Sequence, residues 1–144
     1  MRLEVTRRSD LAVRAITTLA AADGRMKGRD LADALGTTVA FVPQVLNPLV
    51  SRGWLRSDPG PTGGYSATVD LAAVSLLEVI EAIEGPTLTG RCVLEDRPCN
   101  ADATCALHGP WEKARTRLLD ALADTSLAEL AGPRGQDPRP GSSP

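Results

Sequence analysis

Residues 28–69 read GRDLADALGTTVAFVPQVLNPLVSRGWLRSDPGPTGGYSATV, and this stretch decides the fold. Leu31, Ala34 and Leu35 line one side of a short helix over about 28–35, and Gly36 supplies its C-terminal stop. Thr37 or Thr38 then caps a further helix with the apolar face Val42, Val45, Leu46 and Leu49, spaced i, i+3, i+4, i+7. Gly53 ends it. Pro43 sits in the first turn, where a missing N–H costs little. Pro48 lies deeper, removes a backbone hydrogen bond and predicts a kink. Trp54-Leu55-Arg56 reads as a strand, Asp58 to Gly64 as a turn-rich loop, and Tyr65 to Val69 as the return strand. Two helices across a tight Gly-Thr-Thr turn, followed at once by a Gly-rich hairpin, form the pattern of a winged helix-turn-helix.

Before this stretch, Ser9 or Asp10 is placed to cap a first helix carrying Leu11, Ala15 and Leu19 beside Ala12, Ile16 and Ala20, ended by Asp23-Gly24. After it, Ser75-Leu76-Leu77-Glu78 is a capping box that opens a helix with Leu76, Ile80 and Ile83 on one side, closed by Gly85-Pro86. A polar loop follows. Pro110 suits the first position of a last helix, whose stripe is Trp111, Ala114, Leu118 and Leu122 with Leu119 beside it. That stripe has no obvious cover within the chain and is assigned to dimerisation. Thr125 to Leu130 adds a short closing turn. The fold class is therefore mainly α with a small β-hairpin wing: a winged helix-turn-helix domain over 1–85, a cysteine loop over 86–108, a long dimerisation helix within 109–131 and a disordered tail over 132–144.

Charge is unevenly spread. Residues 1–56 carry a net +4, and residues 57–131 a net −7, within a chain of net −2. A basic front half is the electrostatic footprint of a polyanion partner. The N-terminal and outward positions of the second helix of the pair are Thr38, Ala40, Phe41, Gln44 and Asn47. Gln44 and Asn47 suit bidentate contact with adenine, and Ala40 and Phe41 suit a thymine methyl. Arg2, Arg7, Arg8, Lys27, Arg29, Arg52 and Arg56 are placed for phosphates, with Gly63 at the wing. Aromatic residues make up only 3% of the chain, which favours oligomerisation. No apolar run approaches membrane-spanning length and no signal peptide opens the chain, so the expected location is the cytoplasm.

All three cysteines and the single histidine fall in one stretch, spaced Cys92-x6-Cys99-x5-Cys105-x2-His108. An odd thiol count in a cytoplasmic chain points to metal or redox chemistry rather than disulfides. Structural zinc sites favour close Cys-x2-4-Cys pairs, which this loop lacks, and wider loop-borne thiolates suit an iron–sulfur cluster. His108 is the nearest fourth ligand, with a carboxylate from elsewhere as the other choice. No phosphate loop or dinucleotide fingerprint accompanies the cysteines, so no enzyme and no small-molecule substrate is expected.

Met1-Arg2-Leu3, the run Ser9-Asp10-Leu11-Ala12-Val13-Arg14-Ala15, the wing Gly60-Pro61-Thr62-Gly63-Gly64-Tyr65 and the loop ending Cys105-Ala106-Leu107-His108 together resemble the Rrf2 family of winged-helix regulators. The branch they resemble is that of the IscR- and NsrR-like iron–sulfur sensors, over residues 1–131. The resemblance implies a homodimer, a C-terminal helix that crosses to the partner, and a cluster held by Cys92, Cys99 and Cys105. His108 matches the fourth ligand of IscR-like members, which hold 2Fe–2S. Asp10 matches the aspartate that NsrR-like members lend across the dimer to 4Fe–4S. The first cysteine gap is one residue longer than usual, two extra residues precede Asp10, and Pro59 stands where IscR-like members place a minor-groove arginine. Arg56 is the nearest replacement.

The function so implied is a DNA-binding repressor of a palindromic operator, controlled by a cluster that senses redox state, nitric oxide or iron–sulfur status. Two rivals are a zinc-stabilised interaction domain and a DNA-binding protein with a cofactor-free thiol switch.

Overall fold

The computed structural model describes residues 1–22, 24–100 and 102–131. Helix α1 spans Arg7–Ala21. Its cap is Thr6, whose hydroxyl accepts the Ser9 N–H at 3.2 Å, so the helix starts before the expected Ser9 or Asp10. Ser9 is instead fully buried inside the first turn, and its hydroxyl donates to Glu84 Oε2 at 2.9 Å. A buried hydroxyl needs such a partner, and here the partner lies on another helix.

Helix α2 covers Gly28–Leu35 and stops at Gly36 in the left-handed conformation, as its sequence requires. Helix α3 covers Val42–Ser51. It begins later than the threonine caps imply, because the chain first makes two tight turns, with Phe41 N–H on Thr38 O (3.1 Å) and Val42 N–H on Val39 O (3.3 Å). No side chain caps α3. Pro43 lies in its first turn and Pro48 inside it. Leu31, Leu35, Val42, Val45, Leu46 and Leu49 are all buried against Leu11, Ile16 and Leu19 of α1.

Strands β1 (Leu55–Asp58) and β2 (Gly64–Ala67) pair antiparallel from Leu55↔Ala67 to Asp58↔Gly64, forming the wing. Met26 adds a bridge to Tyr65 through two backbone bonds of 2.9 and 2.8 Å. This approach explains the glycine pair. A Cβ on Gly63 would lie 2.0 Å from Asp58 O, and one on Gly64, at φ +145°, would lie 2.4 Å from Met26 O. The wing closes tightly only with glycine at both positions.

A single 3-10 turn at Leu71–Ala73 leads to α4 (Leu76–Glu84), where the Ser75/Glu78 capping box forms as expected. The deepest side chains of α4 are Val79 and Ile80, while Leu76 and Ile83 are half-buried, so the inward face is rotated from the expected one. Gly85 ends the helix.

Helix α5 (His108–Ala123) is the expected C-terminal helix, but it is only sixteen residues long and starts two residues before Pro110. None of its side chains is buried. Trp111, Leu119 and Leu122 are half-exposed and Leu118 is 45% exposed. The expected closing turn proves to be a core element. Ser126 and Glu129 form a second capping box that opens α6 (Leu127–Leu130). Leu76 N–H bonds Thr125 O, Leu127 N–H bonds Val74 O, and the Leu127 side chain is fully buried with the α1 leucines. The tail over 132–144 lies outside the described residues. Among the described residues no helix is long and apolar enough to cross a membrane.

Leu127 therefore locks the end of the chain onto the winged domain. Leu127→Ala should lower unfolding stability by roughly 2–5 kcal/mol, read by urea denaturation. Ala128→Ser, on the exposed side of the same turn, should change it by less than about 0.5 kcal/mol.

Candidate metal centre and nucleic-acid face

The cysteine loop leaves α4 at Gly85, whose φ of +88° no L side chain adopts cheaply. Thr87 N–H then bonds Glu81 Oε1 at 3.0 Å and ties the loop's start to the helix. Over 86–107 none of the described side chains is buried. The loop is ordered by backbone and ionic contacts instead. Cys92 N–H bonds Arg97 O (2.8 Å), Cys99 N–H bonds Gly90 O (2.9 Å), and Arg91 bridges Pro98. Arg97 pairs with Glu95 and donates to Ala103 O at 2.8 Å, and Arg91 pairs with Asp96. The longer first cysteine gap is thus taken up by a small reversal that returns Cys99 beside Cys92.

That reversal gathers the three thiols. The Sγ atoms of Cys92, Cys99 and Cys105 lie within 4.8 Å of one another, and all three are free and half-buried. His108, the first residue of α5, places Nδ1 3.1 Å from Cys99 Sγ, while its Nε2 lies 3.3 Å from Glu112. A carboxylate on the far nitrogen is the usual outer partner of a ligating histidine. Three soft sulfurs with an adjacent imidazole fit an iron–sulfur cluster or a zinc ion by donor chemistry. Asp10, the other candidate for the fourth position, lies in the first turn of α1 with Arg14 at 3.9 Å and is not among the gathered ligand atoms of this chain.

Cys92 and Cys105 differ in acidity. Cys92 is held below the ordinary thiol value, chiefly because the Leu94 N–H points at its sulfur at 3.5 Å. Cys105 is pushed up, first by desolvation and then by its hydrogen bond with Cys92. Metal-free reduced protein should therefore lose Cys92 to iodoacetamide at lower pH than Cys105 as pH rises from about 6 to 9. Peptide mapping by mass spectrometry checks the order, and simultaneous labelling would contradict it.

The residues expected to meet nucleic acid lie on and around α2, α3 and the wing. Gln44 and Asn47 of α3 are exposed, as are Thr38 and Ala40 in the turns before it, while Phe41 is half-buried and packs against the core. Arg2, Arg7, Lys27, Arg29, Arg52 and Arg56 are exposed as well. Arg52 lies over the Trp54 ring, 5.7 Å from its centroid. Gly63 is buried beneath the wing backbone, so what it contributes is the shape of the wing. Sequence reasoning missed Arg25 and Asp58. Asp58 holds Arg56 at 3.1 Å and Arg25 at 3.7 Å, fixing two cations at the wing base. No local pattern carries that pairing, because Arg25 precedes the helix-turn-helix and Asp58 follows it. Arg8, also exposed, donates to the Gln44 carbonyl of α3 at 3.1 Å.

A model of the Rrf2 family, described as iron-dependent transcriptional regulators, matches residues 5–133. An HTH-type transcriptional regulator of Mycobacterium tuberculosis is 33% identical over 133 residues, covering 90% of this chain and 82% of that protein. The regulator IscR of Yersinia pestis is 28% identical over 108 residues, covering 75% of this chain and 65% of that protein. The structure of CymR, the global cysteine regulator of Bacillus subtilis, superposes with a TM-score of 0.71 at 21% identity, over 90% of this chain and 97% of that one. The winged-helix fold is shared, and these relatives are regulators rather than enzymes. With the match spanning the winged domain, the cysteine loop and both C-terminal helices, the chain belongs to the Rrf2 family of transcriptional regulators.

Proposed function

We propose that this DNA-binding regulator is a cytoplasmic homodimeric repressor whose operator affinity is set by an iron–sulfur cluster on Cys92, Cys99 and Cys105. The observation that carries the reading is the convergence of three thiols, with His108 alongside, on a loop in which no described side chain is buried. Buried structural cysteines behave as small hydrophobes; these are half-buried, and Cys99 and Cys105 line a cavity shared with His108, Arg91, Glu112 and Arg115 as well as Val93 and Trp111. When bound, an iron–sulfur cluster supplies a redox couple and a centre reactive toward oxygen and nitric oxide.

The chain's own residues do the rest. Cys92, Cys99 and Cys105 give three thiolates, and His108 or the Asp10 of a second copy completes the set. The exposed stripe of α5 supplies the contact between copies, as an amphipathic helix without cover does. Two copies present two α3 helices to successive major grooves, which matches a palindromic operator. The loop's state reaches α3 through its stem: Glu84, just before Gly85, accepts the Ser9 hydroxyl, and α1 packs directly on α3. A change in the loop that shifts Glu84 therefore shifts α1.

A second reading is favoured by the same geometry. Free thiols this close, with Cys92 more acidic than Cys105, suit a switch in which two thiols join as a disulfide and a peroxide takes up their two electrons and two protons.

Anaerobic reconstitution with ferrous iron and sulfide separates the readings. The cluster reading expects bound iron and sulfide with visible absorbance, lost in Cys92→Ser, Cys99→Ser and Cys105→Ser alike. His108→Ala or Asp10→Ala, whichever removes the fourth ligand, should leave a cluster that decays at least about tenfold faster in air. Protein that takes up no iron, yet changes DNA affinity with peroxide, establishes the thiol switch instead. Stoichiometric zinc in the purified protein would replace both.

A further inference from the structure

Pro48 stands inside α3, four residues after Gln44. An α-helix closes each turn with the N–H of residue i on the carbonyl of residue i−4. Proline has no N–H, so the Gln44 carbonyl has no helical donor at that position. In this chain the vacancy is met from another helix: Arg8 Nη2 donates to Gln44 O at 3.1 Å. The donor comes from the first turn of α1, which is itself fixed. Thr6 caps it, and buried Ser9, next in sequence to Arg8, is bonded to Glu84.

We propose that Arg8 is a positioning residue of the recognition helix: it occupies the backbone acceptor freed by Pro48 and so sets how α3 presents Gln44 and Asn47. The guanidinium suits this role because its several donors are always charged and its plane is rigid. A proline-broken helix has one fewer internal bond holding its pitch, and the arginine restores that hold from outside. Gln44 thereby has two separate parts, a backbone oxygen held by α1 and an exposed side chain turned outward. The inference rests on the reading of α3 as the DNA-facing helix. It also gives Arg8 a task distinct from the phosphate contact that its charge alone suggests.

A double-mutant cycle tests it. The probe is the duplex that full-length wild-type protein selects from a random library, with a scrambled duplex of equal length as reference. Affinity for both is measured against salt for wild type, Arg8→Ala, Pro48→Ala and the double variant, with circular dichroism to confirm that each is folded. Arg8→Ala should weaken binding to the selected duplex by about five- to tenfold, the scale of one charge-assisted hydrogen bond. It should leave the scrambled duplex and the salt slope unchanged. In the Pro48→Ala background, where residue 48 regains its N–H, the same change should cost less than about twofold. Equal losses in both backgrounds would overturn the proposal. So would a loss shared by the scrambled duplex with a salt slope reduced by about one, the mark of a phosphate contact. A wild type that selects no duplex would overturn the DNA-facing reading and the proposal with it, whereas the other two results overturn the proposal alone.

Discussion

The constraint on which the account depends is that the cysteine loop has no core of its own. Its described side chains are all at least partly exposed, and its order comes from a few backbone bonds, two arginine–carboxylate pairs and the turn into α5. Exposed ion pairs of this kind contribute little, typically ~0–1 kcal/mol each. Ligation of three thiolates would exceed them all, because metal binding by a weakly ordered segment is itself folding energy. The loop is thus the part of the molecule whose shape is most open to chemical control.

The rest of the chain ties this loop to the winged domain. Helix α1 carries the core leucines, accepts the packing of α3, and bonds through Ser9 to the last residue of α4 before the loop. Arg8 adds a direct bond to the backbone of α3. Leu127 and the backbone bonds around Ser75 and Ser126 pin the far end of α5 back onto the same domain. Helix α5 is therefore held at both ends, at His108 beside the thiols and at α6 in the core, with its apolar stripe only partly covered between them.

Much of this was legible in the sequence because it is local. The apolar spacing of α3, the Gly36 stop, the Ser75 capping box and the glycine pair of the wing each act within a few residues, and each appears as expected, as do Leu31 and Leu35 of α2; Ala34, expected beside them, is exposed, and Ala32 takes the inward place. The gathering of the thiols was legible too, because all three sit on one loop. What was missed is non-local. Thr6 takes the cap of α1 because Ser9 is drawn to Glu84, seventy-five positions away. Arg8 reaches a backbone acceptor thirty-six positions from it, at Gln44. Leu127 joins a core that the periodicity of a four-residue helix is too short to announce. Charge and periodicity report which residues are available, while long-range hydrogen bonding decides where they are used.

The central claim is that the state of the three-thiol site governs operator affinity. Its most direct measurement is the dissociation constant for a selected operator duplex, taken anaerobically on one preparation before and after the iron is removed by chelation. The account predicts a change of at least about tenfold, ~1.4 kcal/mol of coupling between loop and recognition helix. An operator affinity that is the same with the thiols loaded and stripped would contradict it.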